Sequence, residues 1–172
     1  MHTLLGFWLA LSPVDAVPLG KVPPAVTLKG DLGGRLSGKP WSSKEMLGKP
    51  TIIFYVDPDE AEVNEHVGPA LRRAKADGKK FTSIAVINMD ATWLPNSLIQ
   101  GKLEESQKEF PSTVYVRDDE KTLVKRWGFG DDAYSIAIFD PQGKCIWSKD
   151  GRHSKADTQK VVDLILKQTG QR

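Results

Sequence analysis

The chain contains a single cysteine, Cys145, among its 172 residues. Dithiol exchange needs a second thiol within reach of the reactive thiolate, so one cysteine excludes an intramolecular dithiol cycle and an internal disulfide. No apolar run approaches the ~20 residues that a transmembrane helix needs. We therefore expect neither a dithiol oxidoreductase nor a stable membrane span.

Neither sign of charge dominates the sequence. There are 24 Lys and Arg against 22 Asp and Glu, for a formal net charge of +2, and the two signs are interspersed. Proteins that follow a phosphate backbone usually concentrate their basic residues in a patch or stripe. We therefore expect no nucleic acid partner. The composition is that of one ordinary globular domain.

The first 16 residues have the features of an export signal. An apolar stretch, Leu4–Leu11, precedes Val14-Asp15-Ala16, which resembles a small-x-small cleavage site. Met1-His2 lacks the usual lysine or arginine, which leaves a truncated start or a packed N-terminal strand as alternatives. We predict a signal peptide over residues 1–16 that is cleaved after Ala16, an extended lead-in over 17–24, and a single domain over 25–170.

Further along the chain, strand-like apolar runs alternate with helical stretches. Thr51–Val56 is almost continuously apolar, as in a parallel strand that is buried on both faces. Phe81–Asn88 and Thr113–Val116 are further strands, and helical stretches join the three, so they should be parallel. Tyr134–Phe139 and Lys144–Trp147 flank a short turn and predict an antiparallel hairpin.

The helical stretches have recognisable boundaries. Residues 60–76 have helical composition, and Pro69 within them predicts a kink, because proline removes a backbone donor and clashes one turn back. Ser97, three residues before a glutamine, predicts the start of a second helix, and Ser154, three residues before an aspartate, predicts the start of the last one. The glycine cluster Gly30–Gly34 predicts a turn.

These elements predict an α/β three-layer sandwich. A mixed sheet would have parallel central strands and a C-terminal antiparallel hairpin, with helices on both faces. This order of elements is that of a thioredoxin-like domain, a fold usually met with Cys-x-x-Cys just after its first central strand. Here the strand is followed by Asp57-Pro58-Asp59-Glu60-Ala61-Glu62.

Four segments carry a resemblance to a known family. They are Ile87–Asn96, Glu104–Pro111, Val124–Gly128 and Ile138–Lys144. In these segments the sequence resembles the bacterial YtfJ family, and the resemblance extends over about residues 22–167. It implies a periplasmic branch of the thioredoxin-like superfamily without an established activity, so it informs fold and compartment more than function.

Both redox features of the superfamily are missing. Counting from the first central strand places the cysteine pair at Asp59 and Glu62. Counting back from the predicted kink places it at Ala61 and Asn64 instead, and neither choice contains sulfur. The superfamily's cis-proline corresponds to Tyr134, where we expect a trans bond, because a cis bond to another residue costs about 2.5–4 kcal/mol.

The loops at the carboxyl ends of the strands form the candidate binding site. Open α/β sheets bind ligands at this edge, where the ends of the predicted strands converge. Small polar groups there would hydrogen-bond a peptide, and an exposed tryptophan would anchor it. The candidate residues are Asp57, Asp59, Glu60, Asn88, Asp90, Thr92, Trp93 and Tyr134.

The second of these loops also has a purely structural interpretation. Asn88 and Asp90 would close an Asx-type turn, while Trp93 would pack on the core beside Pro95. Lys121 is expected on an ordinary solvated helix face. Under this interpretation the loop has no binding role.

Glu62 and His66 are a candidate metal-ligand pair. Residues four apart share a face of a helix, and a carboxylate with an imidazole suits a divalent cation. The acidic loop also starts like an EF-hand, but it lacks the turn glycine and the distal glutamate. The interpretation that we favour is a solvated first turn whose acids oppose the helix dipole.

Cys145 lies in the last predicted strand. Alternation places it on the face opposite Lys144 and Ile146, where a cysteine usually serves as a small buried hydrophobe. A catalytic thiol would need a histidine or a helix N-terminus beside it, and nothing in the sequence brings His153 back to it. We expect a structural thiol.

The sequence therefore favours an exported, non-catalytic binding or adaptor domain. It would be a monomer in the periplasm that holds an envelope protein or peptide at the predicted edge, with no catalytic residue and no cofactor. The alternative is an enzyme, either a metal-assisted hydrolase that uses the acidic loop or a redox enzyme that uses Cys145 alone.

Overall fold

A six-stranded mixed sheet forms the centre of the fold. The structure is a computed structural model and describes residues 17–171, so the predicted signal peptide lies outside the described residues. The strands of the sheet are β2 (Gly33–Arg35), β4 (Thr51–Val56), β5 (Thr82–Asn88), β6 (Thr113–Asp118), β7 (Tyr134–Phe139) and β8 (Cys145–Lys149). β1 (Thr27–Leu28) and β3 (Trp41–Ser42) pair separately.

The strand order is β2-β6-β5-β4-β7-β8. β4, β5 and β6 are parallel, whereas β7 and β8 form an antiparallel hairpin at one side. The predicted parallel centre and C-terminal hairpin are therefore confirmed. All six residues of β4 are buried. From Ile52 onward its side chains alternate between two core clusters, which is why the strand is almost continuously apolar.

Four α-helices cover the sheet, namely α1 (Val67–Arg73), α2 (Asn96–Glu109), α3 (Thr122–Trp127) and α4 (Lys155–Gln168). Side chains of α1, α2 and α4 pack in one core cluster. Those of α3 pack in the other, together with residues of β1 and β3. The predicted three-layer α/β sandwich is thus confirmed. Within residues 17–171, no helix is both long enough and apolar enough to cross a membrane.

The glycine cluster contains a strand that the sequence does not predict. Residues 30–32 form a 3-10 turn, but β2 then pairs antiparallel with β6. Gly33 lies opposite Asp118, with φ at 108°. A Cβ atom there would lie 2.0 Å from the carbonyl oxygen of Arg117. The glycine is needed because the edge strand approaches the β6 backbone too closely for any side chain.

The predicted helix over residues 60–76 is wrong in length. A 3-10 turn covers Pro58–Glu60, and α1 begins only at Val67. Pro69 is therefore the third residue of α1 and does not kink it, because N–H groups in the first turn have no intrahelical acceptor. The intervening residues form turns.

The two predicted helix caps have different outcomes. Ser154 and Asp157 form the expected capping box at the start of α4, with the Ser154 amide donating to Asp157 over 2.8 Å. Ser97, in contrast, lies inside the first turn of α2, and the capping position is Pro95, which offers no side-chain acceptor. The serine–glutamine spacing therefore marked the helix but not its first residue.

Residues 17–24 run beside β8, at the edge of the sheet. The Gly20 amide donates to the carbonyl of Cys145, and the Cys145 amide donates to the carbonyl of Lys21. Ser148 Oγ accepts a hydrogen bond from the Val17 amide at 3.1 Å and donates one to the Val17 carbonyl at 2.9 Å. This segment covers Cys145, which is fully buried in the core, as the sequence predicts.

Candidate functional site

Three polar residues form a row across the carboxyl ends of the parallel strands. Val56 is paired with Ile87, so Asp57 follows beside Asn88, and Asn88 is paired with Asp118. All three polar residues are buried. The residues two positions before each of them pack in one core cluster, so the row lies on that face of the sheet. The sequence predicts that Asp57 and Asn88 lie at this edge, but it does not predict Asp118 there.

Asp118 is a structural anchor of this edge. Its carboxylate accepts hydrogen bonds from the amides of Thr122 and Leu123, at 2.7 and 2.8 Å, and so holds the first turn of α3. It also accepts a hydrogen bond from the hydroxyl of Tyr55 at 3.2 Å. Burial, and then the nearby Asp118 carboxylate, raise the pKa of Tyr55 far above its usual range, so its hydroxyl remains a donor.

Asn88 links β5 to the loop before β7. Its amide nitrogen donates to both the carbonyl and Oδ1 of Asp131, each at 3.0 Å. It makes no side-chain bond to the following 3-10 turn, Met89–Ala91, so the predicted Asx-type turn is not formed by Asn88. The side-chain oxygen of Asn88 is buried without a hydrogen-bond partner. This edge therefore retains one unused acceptor.

Lys121 belongs to this edge and not to a solvated helix face, which corrects the sequence interpretation. It precedes α3 in the left-handed conformation, with φ at 52°. Its ammonium lies 2.9 Å from Asp131 Oδ2 and 3.8 Å from Asp90 Oδ2. Partial burial of Asp131 would raise its pKa, but the hydrogen bonds from Lys121 and Asn88 outweigh this effect and lower it.

Asp57 is the buried acid of the first loop. Its Oδ1 accepts a hydrogen bond from the amide of Asp59 at 2.8 Å, which caps the 3-10 turn. Burial raises the pKa of Asp57, and the neighbouring carboxylates of Asp59, Asp132 and Glu60 raise it further. The charges that act on Asp57 are therefore negative, and its carboxylate is destabilised relative to the acid form.

Trp93 projects into solvent and is 85% exposed. The prediction that it packs on the core is therefore wrong, and it is the neighbouring Leu94 that packs there. The position of the tryptophan is set by Thr92, whose hydroxyl donates to Asp59 Oδ1 at 3.0 Å and accepts from the Leu94 amide at 3.2 Å. The two predicted loops are thus joined beside Trp93.

Tyr134 begins β7 and is a core residue rather than a surface contact. It is buried, and its ring meets Phe54 edge-on, with centroids 6.4 Å apart. Burial raises the pKa of its hydroxyl. Residues 17–171 contain no cis peptide bond, so the bond before Tyr134 is trans.

Asn64, at one of the two positions counted for a cysteine, joins three segments. It is fully buried, and its amide nitrogen donates to the carbonyls of Tyr134 and Gly151, at 3.4 and 2.8 Å. Its oxygen accepts from the His153 amide at 2.8 Å. Burial lowers the pKa of the His153 side chain, whose ring packs against Trp147. Asn64 therefore has a structural role, because it links the segment before α1 to the start of β7 and to the loop before α4.

The Glu62–His66 pair does not lie on a helix, because both residues precede α1. The His66 ring is hydrogen-bonded at Nε2 to the Thr158 hydroxyl, 3.0 Å away. Within the described part of the chain, no three His, Cys, Asp or Glu side chains come together in a way that could hold a metal ion. The helical spacing on which the metal hypothesis depends is therefore not realised.

The eight candidate residues fall into two groups. Asp57, Asn88 and Tyr134 are buried and support the edge, whereas the other five lie at or near the surface. We call the surface group the rim, and we include two acids of the loop before β7 that the sequence does not single out. The rim consists of Asp59, Glu60, Asp90, Thr92, Trp93, Asp131 and Asp132.

The rim offers carboxylate acceptors and an aromatic face, which are groups for binding rather than for thiol chemistry. The thiol of the chain is remote from it, since Cys145 pairs with Phe139 at the end of β7 opposite Tyr134. Phe139 is five positions after Tyr134 in β7, which corresponds to about 17 Å along an extended strand. A sulfur at that place cannot act on a ligand held at the rim.

Comparison with known proteins assigns the chain to a family. Residues 23–168 match the family model described as "Bacterial protein of unknown function (YtfJ_HI0045)". The Escherichia coli K12 protein described as "Uncharacterized protein YtfJ" is 24% identical over 155 residues, which cover 86% of this chain and 84% of the relative.

Solved thioredoxins share the fold. The thioredoxin domain of a thiol-disulfide oxidoreductase from Bacteroides vulgatus superposes with a TM-score of 0.59 and 18% identity, covering 87% of this chain and 99% of that one. For the exposed lipoprotein thioredoxin of Streptococcus pneumoniae the values are 0.57 and 13%, with coverage of 82% and 99%. With a thioredoxin-like fold and a family model that spans most of its length, this chain belongs to the YtfJ family.

Proposed function

We propose that this protein is an exported, non-catalytic thioredoxin-like domain that holds a protein or peptide of the cell envelope at the rim. The observation that carries the proposal is the exposure of Trp93 beside the carboxyl edge of the sheet. Open α/β sheets generally bind their ligands at this edge. The proposal places the partner where thioredoxins hold their reactive cysteines.

The exposed indole is unusual within this chain. Trp41, Trp127 and Trp147, the other tryptophans among the described residues, are all buried. Tryptophan is enriched at the centres of protein interfaces, where a large rigid side chain gives much contact area at a small cost in entropy. The hydrogen bond between Thr92 and Asp59 restricts the loop next to Trp93. A partner would therefore meet a partly preorganised anchor, which lowers the cost of binding.

The chemistry of the chain supports a binding role over a redox role. The position of a resolving or attacking cysteine is occupied by carboxylates or by the structural Asn64. The chain's one thiol is buried at the start of β8, where Cys145 is paired with Phe139, about 17 Å from the end of β7 that lies at the edge. We expect the purified protein to show no insulin reduction. Turnover above that of a buffer control would contradict the non-catalytic proposal.

A site-specific photo-crosslinker tests the binding proposal in cells. The benzophenone amino acid, which keeps a large aromatic side chain at the anchor position, replaces Trp93 in one variant. In the matched control it replaces Leu47, which is 54% exposed and lies before β4, away from the rim. We expect discrete adducts with an envelope protein from position 93 and none from position 47. Adducts of the same masses from both positions, or no adduct from position 93, would contradict binding at the rim.

Export is proposed from the signal-like segment and from the family relationship. If residues 1–16 are removed, the mature chain begins at Val17, whose amide already lies 3.1 Å from Ser148 Oγ. Intact-mass measurement of protein from an osmotic-shock fraction checks this. We expect a mass that starts at Val17, and a full-length protein confined to the cytoplasmic fraction would contradict the proposal.

A further inference from the structure

The rim carries a strong local negative charge on a chain that is not acidic overall. The whole sequence has a formal net charge of +2. The rim nevertheless combines five carboxylates from three loops, namely Asp59, Glu60, Asp90, Asp131 and Asp132. Lys121 contacts two of them. Clustering of one sign in a near-neutral chain gives the surface a field that favours an oppositely charged ligand.

A buried group beneath the rim also points to a donor ligand. Asn88 is fully buried in the row of strand ends, and its nitrogen is already occupied by Asp131. Its oxygen has no partner. A buried acceptor without a partner is costly, and an N–H donor of a ligand that reached it through a local opening of the edge would relieve that cost. The acidic rim and this acceptor thus favour the same ligand chemistry.

The arrangement of Trp93 adds a third independent feature. The indole is 85% exposed, and the residue before it, Thr92, is hydrogen-bonded to the rim acid Asp59. An aromatic face beside carboxylates is complementary to an ammonium or guanidinium group, which can stack on the ring while it pairs with the acid. A neutral apolar ligand would use the ring but would pair with none of the rim carboxylates, of which Lys121 contacts only Asp90 and Asp131.

We propose that the ligand of the rim is a basic peptide segment, whose lysine or arginine side chains pair with the rim acids and stack on Trp93. This inference depends on the proposed binding function and specifies the class of its partner. The segment would enter from solvent, since the rim acids are exposed or half-buried. The attraction would weaken with salt, because charges at a surface are screened over a Debye length of about 10 Å at 0.1 M.

The test uses hexalysine as the probe and hexaglutamate as the matched control peptide. Fluorescence of the purified protein reports binding, because the other described tryptophans are buried and Trp93 meets solvent. We expect saturable binding of hexalysine at low ionic strength, a weaker affinity as salt increases, and no response to hexaglutamate. Equal binding of the two peptides, or no binding of hexalysine, would overturn the inference.

Charge-removing variants locate the site. Asp90→Asn combined with Asp132→Asn should weaken hexalysine binding roughly tenfold, which is the scale expected for two exposed ion pairs that act together. The control, Glu105→Gln combined with Glu109→Gln, removes the same charge at exposed positions of α2 outside the rim. Equal losses in the two double variants would overturn a rim site. Isothermal titration calorimetry provides the readout for Trp93→Ala, in which we also expect weaker binding.

The two proposals fail in different ways. Adducts from position 93 in cells, together with no response to hexalysine in solution, would overturn the basic ligand and leave binding at the rim intact. Absence of adducts from position 93 overturns the proposed function itself. Adducts that persist in the Asp90→Asn, Asp132→Asn background at unchanged yield would again count against a basic partner and not against binding.

Discussion

The Thr92 hydroxyl donates a hydrogen bond to Asp59 Oδ1 at 3.0 Å, across 33 positions in sequence. This contact joins the loop after β4 to the loop after β5 and sets the place of Trp93. Because the bond lies at the surface, its net contribution to stability should be small, about 1 kcal/mol or less. Its main effect should be local order.

Thr92→Val therefore tests loop order separately from stability. The substitution keeps the shape of the side chain but removes both the donor to Asp59 and the acceptor of the Leu94 amide, so we expect little change in the midpoint of urea unfolding. Hydrogen exchange of the amides in residues 89–93, which leave out the directly affected Leu94 amide, should become faster. Thr27→Val, at another exposed threonine, is the control. Unchanged exchange in Thr92→Val would show that the contact does not hold the loop.

Asn64→Ala should be strongly destabilising. The side chain makes three hydrogen bonds in a fully buried position, and its loss leaves the Gly151 carbonyl and the His153 amide without these partners. Unpaired buried groups cost about 1–3 kcal/mol each, so we expect a loss of about 3 kcal/mol in the free energy of unfolding. Urea denaturation provides the measurement. Exposed Asn96→Ala serves as the control, and a loss below 1 kcal/mol in Asn64→Ala would contradict the structural role.

Asp57→Asn should stabilise the protein at neutral pH. The folded-state pKa of Asp57 is raised by burial and by neighbouring acids, so its ionisation disfavours folding once the pH exceeds the unfolded value of about 3.9. The stability of the wild type is therefore reduced as the pH rises from there through the folded-state pKa. Asparagine keeps the acceptor for the Asp59 amide but carries no charge.

The measurement for this variant is the free energy of unfolding as a function of pH. We expect the advantage of Asp57→Asn to be largest near pH 7 and to vanish towards pH 3, below both pKa values. Asp90→Asn, at an exposed acid of the rim, is the control. An Asp57→Asn protein that is less stable than the wild type at pH 7 would mean that the buried carboxylate is compensated.

Ser148→Ala should expose Cys145 to thiol reagents. Ser148 holds Val17 through two hydrogen bonds, and the lead-in segment covers the sulfur, which lies 3.8 Å from the Val17 carbonyl oxygen. Loss of the two bonds should make local opening easier and increase the maleimide labelling rate roughly tenfold. Ser37→Ala, at an exposed serine, is the control. Labelling of the wild type at the rate of an unfolded thiol would contradict burial.

The secondary structure was predictable where hydrophobic pattern and tertiary burial agree. The almost continuously apolar β4 and the first strand of the hairpin, β7, follow directly from the sequence, because their side chains are buried on both faces. The sequence does not predict β2, because this strand contains two glycines and has no apolar pattern. It is a strand only because its backbone pairs with that of β6. The sequence predicts a helix before α1, where the chain forms turns, because composition does not distinguish a helix from successive turns.

The site was predictable in position but not in detail. Asp57 and Asn88 were expected at the carboxyl edge because strand ends converge there, yet their burial follows from the loop that carries Asp131, which is remote in sequence. Helix periodicity predicts a solvated face for Lys121 because it does not reveal that Lys121 itself precedes α3 in the left-handed conformation. Asp118 had one usable signal, an aspartate that ends a strand just before a helix.

The sequence by itself determined the absence of dithiol chemistry, the parallel centre of the sheet and the burial of Cys145, because these depend on residue type and on local periodicity. Only the tertiary structure decided which side chains of the edge face solvent. Trp93 and Leu94 are adjacent and both apolar, yet only Leu94 packs against the core, beside the hydrogen bond that joins the two loops. Contacts between segments far apart in the chain leave no periodic trace in sequence, and the rim is made of such contacts.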